Sequence, residues 1–424
     1  MTAMQSLELW RKNLYILWGT QFIAMVGMNL VIPFLPFFVR ELGITDPTDL
    51  ARWSGLVYAG PFFLSFVATP FWGSLGDKYG RKAMVVRALI GLAVSQLLIG
   101  LSQDVYQLFA FRIVQGGISG YIAASIALVS TTTPKERIGY ALGMMHSASA
   151  AGSVLGPFLG GLLADMIGYR EIFFITASLC ALGTVVVARM VHEPGRAAPA
   201  VRRYTVRDNY RFMFTNRHLR LTAITMVVAQ MSILMIEPIF ALFVESFQTD
   251  TRFISTLTGG IFSISGLSMV LFAAWWGKRN DERGYTKNLS MALAVVGVVY
   301  AGHIIVQNLF QLAILRAFLG FAQAGVLPAL YSLTNINTPP ERRGGIIAVA
   351  SSMTILGNMI GPMIGGFVAG HFGITASFVA NSCMLIGMSL VIRRNLTDTA
   401  VSRNAPPGPA PVPAPVIGRD PEAF

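Results

Sequence analysis

Charge is what this sequence has least of. Only 12% of its 424 residues are Asp, Glu, Lys or Arg, where an ordinary soluble domain carries about 25%, and a chain this poor in charge cannot clothe a large water-facing surface. Two cysteines, Cys180 and Cys383, are too few for a disulfide framework. Each stands inside an apolar run, where it reads as a small buried hydrophobe. No G-x-S-x-G, H-E-x-x-H or G-x-x-x-x-G-K-[ST] string occurs, and no cysteine or histidine pattern has metal-ligand spacing. These absences weigh against a membrane enzyme and an ATP-driven pump, and no metal or cofactor is expected.

What is present is apolar: 54% of the residues are hydrophobic. They gather into runs near twenty residues long, enough for a helix to cross a hydrocarbon core of about 30 Å. The spans read from them are Leu14–Val39, Trp53–Trp72, Ala83–Leu101, Gln107–Thr131, Ala141–Asp165, Ile172–Met190, Leu221–Glu245, Ser255–Trp276, Asn288–Val306, Gln311–Asn335, Gly345–Ala369 and Ile374–Ile392. The fold class expected is an all-α membrane protein with twelve transmembrane helices. Arg11 and Lys12 precede a first run too long for a signal-peptide core and without a cleavage-like ending, so it reads as a span.

The basic excess, 32 Lys and Arg against 20 acids, would suit a nucleic-acid partner if it formed a patch. It does not. Twenty-six of the 32 fall in or beside the N-terminal segment, alternate loops and the C-terminal tail. The intervening loops hold only Arg40, Arg52, Arg170 and Arg252, and Arg112 and Arg316 lie inside spans. This positive-inside asymmetry places both termini in the cytoplasm of a multi-pass inner-membrane protein, with lipid as the partner and no nucleic acid.

A shift of 204 or 205 residues brings the two halves into register. Arg112 falls on Arg316 and Gly116 on Gly320; Pro33 falls on Pro238, Glu136 on Glu341, Gly156 and Pro157 on Gly361 and Pro362, and Gly160 and Gly161 on Gly365 and Gly366. Agreement at several unrelated positions implies a duplicated unit. The organisation expected is a six-helix bundle over 1–191, a basic linker over 192–220, a second bundle over 221–394, and a Pro/Ala-rich disordered tail over 395–424. The linker segment Arg202–Arg217 is expected to lie along the cytoplasmic membrane face, drawn by anionic lipid.

Three motifs stand out. Gly73-Ser-Leu-Gly-Asp77-Lys-Tyr-Gly80-Arg81-Lys82 joins the second and third spans; its glycines allow a tight turn, and its carboxylate can sit against the positive end of a helix. A degenerate copy carries Asp281. Arg112 in the fourth span and Arg316 in the tenth are costly in lipid, by about 3 kcal/mol on insertion scales, so each needs a partner or a wet cavity. Gly152, Gly156, Pro157, Gly160 and Gly161 in the fifth span recur as Gly357, Gly361, Pro362, Gly365 and Gly366 in the eleventh. Small residues four apart admit close packing, and a mid-helix proline removes a hydrogen bond and bends the helix.

These motifs resemble the signatures of the major facilitator superfamily, and the GxxxGPxxGG element resembles its drug/proton antiporter branch. The resemblance runs from about Leu14 to Ile392. It implies alternating access to one central site, with Asp77 docking on the cytoplasmic end of the eleventh span when the inside is closed. It also implies Arg112 in proton coupling, and the glycine-proline helices governing exchange. The partners implied are a small-molecule substrate and protons, with the proton gradient as energy source and a monomer as the working unit.

An exchanger of this kind needs a group that gains and loses a proton, and one acid lies well inside a span: Glu237, beside Pro238. It is the leading coupling or substrate-contact residue; the alternative is a carboxylate at a helix end reaching outer water. Many family exporters carry an acid in the first span, where this chain has Asn29. Asn29, Gln230 and Gln323 are the cavity contacts expected, while Glu245 and Asp165, at span ends, read as ordinarily hydrated. His146 and His303 are intramembrane, and each reads first as a buried hydrogen-bonded residue. Export of drugs by proton antiport is the function expected. Export of an endogenous metabolite or siderophore, or import by proton symport, is the alternative.

Overall fold

The computed structural model describes residues 3–118, 120–193, 204–247 and 252–396, so the expected tail lies outside the described residues. Eleven helical segments there are long and apolar enough to cross a membrane, from Leu9–Glu41 to Ile374–Asn395. The 33-residue helix Pro47–Tyr79 completes the twelve. Most spans start or stop on a local signal. Asp46 accepts the Asp49 N–H ahead of Pro47, and Gly80, Gly168, Gly284 and Gly373 each end one span and open the next at positive φ.

The duplication extends to side-chain detail. Trp72 Nε1 donates to the Gly117 carbonyl at 2.7 Å and Trp276 Nε1 to the Phe321 carbonyl at 2.6 Å, and both pairs are 204 apart in register. Asp104 caps the fourth span through the Gln107 N–H, and Asn308 caps the tenth through Gln311 in the same way.

Four spans expected to be continuous are interrupted. The first passes through a 3-10 turn at Ile32–Phe34 and the seventh through one at Glu237–Ile239, because Pro33 and Pro238 cannot donate to the helical ladder. The fourth resumes at Tyr121 after Gly120 at φ 107°, and the tenth is split between Gln323 and Val326.

Within the linker, Val206–Thr215 is a helix with a capping box between Thr205 and Asp208. It packs on the second bundle: Met213 is fully buried, Asn209 is against Gly345, and Arg342 stacks over Tyr204 at 3.8 Å and Phe212 at 4.8 Å. The seventh span starts at Arg217, earlier than expected. Cys180 is buried, but Cys383 is exposed on the surface of the twelfth span.

The connectors rich in Lys and Arg mark one end of the molecule, here the basic face. The buried cluster at that end of the N-terminal half, from Trp10 to Val191, is built from that half alone. The large C-terminal cluster takes in only Phe34, Phe37 and Ala51 from the other half. All three lie toward the far end, so that is where the apolar cores of the halves merge.

Candidate coupling site between the two halves

The glycine-proline motifs build the contact on which the site rests. On the fifth span, Gly152, Gly156 and Gly160 face the first; a Cβ at Gly160 would fall 1.8 Å from the Leu30 carbonyl. On the eleventh, Gly357, Gly361 and Gly365 face the seventh, and a Cβ at Gly365 would fall 1.8 Å from the Met235 carbonyl. The last glycine of each motif turns to the other half. Gly161 lies against Ser255 of the eighth span, and Gly366 against Ala51 of the second. The prolines follow: the Pro157 carbonyl abuts Gly259, and that of Pro362 abuts Gly55. Each motif therefore holds its own half together on one face and makes the seam between halves on the other. Both helices remain continuous across their prolines.

At the centre of that seam the Tyr58 hydroxyl, from the second span, donates to Glu237 Oε2 on the 3-10 turn of the seventh. Tyr58 is buried, while Glu237 keeps partial exposure. The turn that Pro238 imposes places the carboxylate at the helix interruption, toward the opposite half. The two register-matched arginines flank this pair. Arg112 donates through Nε to the Val57 carbonyl at 3.3 Å and through Nη1 to Gln115 at 3.0 Å, and it acts electrostatically on Tyr58. Arg316 lies over the Phe240 ring at 3.5 Å and acts electrostatically on Glu237 and Tyr300. Gln323 donates to the Tyr300 hydroxyl at 3.4 Å and extends the network.

Of the residues expected at the site, Glu237, Arg112, Arg316 and Gln323 are thus linked in one constellation. Asn29 and Gln230 are placed elsewhere, at the seams within each half. Asn29 donates to the Met25 carbonyl at 2.7 Å and packs on Gly156; Gln230 donates to Asn358 at 3.0 Å and packs on Gly357. His303 is buried and bonded through Nδ1 to the Val299 carbonyl at 2.8 Å, whereas His146 is exposed.

Sequence reasoning missed Tyr58 and misread the far end. Asp165 is not simply hydrated: it accepts the N–H groups of Ser255 at 3.2 Å and Thr256 at 2.7 Å, capping the eighth span from the other half. Glu245 is paired with Arg40, Tyr169 bonds Ser255 at 2.8 Å, and Arg52 bonds His371. All of these cross-half contacts lie on the side away from the basic face.

At the basic face, Gly80 separates the second and third spans, and the Glu193 carboxylate accepts the N–H groups of Arg81 at 2.9 Å and Lys82 at 3.0 Å. Gly73 and Asp77 stand in the helix Pro47–Tyr79, and the Asp77 side chain lies outside what the structure describes. Asp281 accepts the Tyr285 hydroxyl within its own half.

The Major Facilitator Superfamily family model matches residues 17–305 and 222–421. The multidrug resistance protein MdtG of Salmonella dublin is 34% identical over 381 residues, covering 90% of this chain and 93% of the relative. That of Proteus mirabilis is 32% identical over 369 residues, covering 87% and 92%. Among solved structures, the nucleoside transporter NupG aligns with a TM-score of 0.74 at 13% identity over 90% of this chain and 98% of its own. A bacterial homolog of the human lysosomal transporter Spinster, in an inward-facing and occupied conformation, aligns with 0.73 at 14% identity over 90% and 96%.

Proposed function

Because the chain belongs to the major facilitator superfamily and is a multi-pass membrane transporter, we propose that it is a proton-coupled antiporter exporting drugs or other small molecules from a bacterial cell. The observation that carries this reading is the Tyr58 to Glu237 hydrogen bond across the seam between halves. It puts the one acid found deep in a span where any rocking of the halves must act on it. A hydrogen bond to an ionised carboxylate is roughly twice as strong as a neutral one, so the charged acid ties the halves and the protonated acid ties them less. A substrate that competes with Tyr58 for the carboxylate loosens the same tie. Proton and substrate cannot hold one group together, which is the condition exchange requires.

The basic face is read as cytoplasmic, with both termini there and the inner membrane as the location. The arrangement seen is then the state closed toward the outside. In the opposite state Asp77 is the residue expected to lock the cytoplasmic side. Glu237 carries the proton, Arg112 and Arg316 balance the charge of the Tyr58–Glu237 pair, and Gln323 contributes a polar contact to substrate. No cofactor is needed, and a monomer suffices. The names of the curated relatives favour drugs as cargo.

The test is a susceptibility screen in a strain lacking its own pumps, expressing wild type, Glu237→Gln or Asp77→Asn at matched levels. Resistance to a subset of compounds, lost in both variants, is expected. Equal resistance with Glu237→Gln would remove that residue from the mechanism.

A further inference from the structure

A second candidate site lies away from the seam, at the basic face of the N-terminal half. There a cavity of about 320 Å³ is lined by Trp10, Arg11, Leu14, Tyr15, Arg137 and Tyr140. Its walls are the start of the first span, the 3-10 turn Lys135–Arg137 and the start of the fifth span. Near the cavity, Asn13 and His192 exchange two hydrogen bonds, at 2.8 and 3.2 Å, fastening the first span to the end of the sixth.

The lining is chemically one-sided. It offers two guanidinium groups, two phenols and an indole, and none of the six residues is an acid. Arg11 stands over the Trp10 ring at 5.7 Å. Trp10 is only 5% exposed and supplies its indole to the wall. The size falls at the low end of the roughly 300–1,000 Å³ of small-molecule sites.

We propose that this cavity binds a phosphate group, held by Arg11 and Arg137. Guanidinium forks match phosphate oxygens in pairs, and a phosphate supplies enough acceptors to serve both arginines at once. Tyr15 and Tyr140 are 58% and 55% exposed, at the level where amphipathic rings sit between lipid and water. The phosphate therefore belongs either to the headgroup of an anionic lipid or to a phosphate compound arriving from the aqueous side. This proposal stands independently of the transport reading.

The experiment uses purified full-length protein in a neutral detergent, titrated separately with dioctanoyl phosphatidylglycerol, sodium pyrophosphate and phosphate-free dioctanoylglycerol. Binding is read by microscale thermophoresis and native mass spectrometry. Saturable one-to-one binding of a phosphate-bearing probe is expected, weakened at least tenfold in Arg11→Gln/Arg137→Gln. Arg393→Gln/Arg394→Gln, which removes the same charge elsewhere, should bind as wild type does. Binding of the lipid alone identifies a headgroup site; equal competition by pyrophosphate identifies an aqueous ligand. If neither probe saturates, or the Arg11/Arg137 variant binds as tightly as wild type, the proposal is wrong. Arg137→Gln alone, on an exposed side chain, should also weaken binding and keeps the test valid should the paired variant unfold.

Discussion

Arg40 and Glu245 form a two-armed ion pair, Nη1 to Oε1 at 2.7 Å and Nη2 to Oε2 at 2.8 Å, and they occupy the same position in the two repeats, 205 residues apart. Equivalent residues can touch only near the axis that relates the halves. Opposite charges at one repeat position therefore make a clasp between the first and seventh spans, at the end away from the basic face.

The clasp should hold that end closed. A single cysteine placed at Phe37, in a background without Cys180 and Cys383, reports on opening through its labelling rate by a membrane-impermeant maleimide. A partly exposed pair contributes about 1 kcal/mol at most, so Arg40→Gln or Glu245→Gln should speed labelling by roughly threefold to fivefold. The swap Arg40→Glu/Glu245→Arg should return it toward the parent rate.

Asp165 supports the same closed end by a different means. Its carboxylate meets the unpaired N–H groups at the start of the eighth span, and loss of a capping side chain costs about 0.5–2 kcal/mol. Asp165→Ala should open that end in the same labelling assay. Combined with Glu245→Gln, the effects should add, because the two contacts share no residue.

Gly161 and Gly366 leave no space for a side chain, since a Cβ would lie 2.2 Å from the Ser255 carbonyl and 2.4 Å from that of Ala51. Overpacking of this kind costs about 1–3 kcal/mol, and it falls only on the state in which the halves touch there. Gly161→Ala and Gly366→Ala should favour the state open at the far end and slow transport, while expression and membrane insertion stay near wild type.

The linker helix supplies a prediction on pH. Asp208 accepts from the Thr205 hydroxyl and backbone N–H, and these bonds hold its carboxyl below the usual carboxylate range. A depressed folded value means that its stabilisation is present above the unfolded value and is lost as pH falls through the folded one. Hydrogen exchange at 206–215 should therefore rise at acid pH relative to the intrinsic rate. Asp208→Asn should remove most of that acid sensitivity.

Much of this was legible in the sequence, and the repeat explains both the successes and the misses. The spans and the duplicated glycine-proline helices follow from hydropathy and register alone. Tyr58 was not singled out, because a tyrosine in an apolar run looks like packing. Only its register partner Phe262, which lacks the hydroxyl, marks it as singular, just as Ile32 stands opposite Glu237. Asp165 and Glu245 were misread because a charge at a span end is ordinarily solvated; that each meets the other half depends on how the halves close. The breaks at Pro33 and Pro238 have a visible cause but were read as continuous spans, and the breaks at Gly120 and after Gln323 have no proline to announce them.

The most direct test of Glu237 as the coupling group is uphill efflux in proteoliposomes. A compound identified by the susceptibility screen is loaded at equal concentration on both sides, and a pH gradient is imposed. Wild type should accumulate it against its own gradient, Tyr58→Phe should do so several times more slowly, and Glu237→Gln should equilibrate it without accumulation. The Tyr58→Phe/Glu237→Gln double variant should be no worse than Glu237→Gln alone. Wild-type accumulation by correctly inserted Glu237→Gln protein would contradict the account.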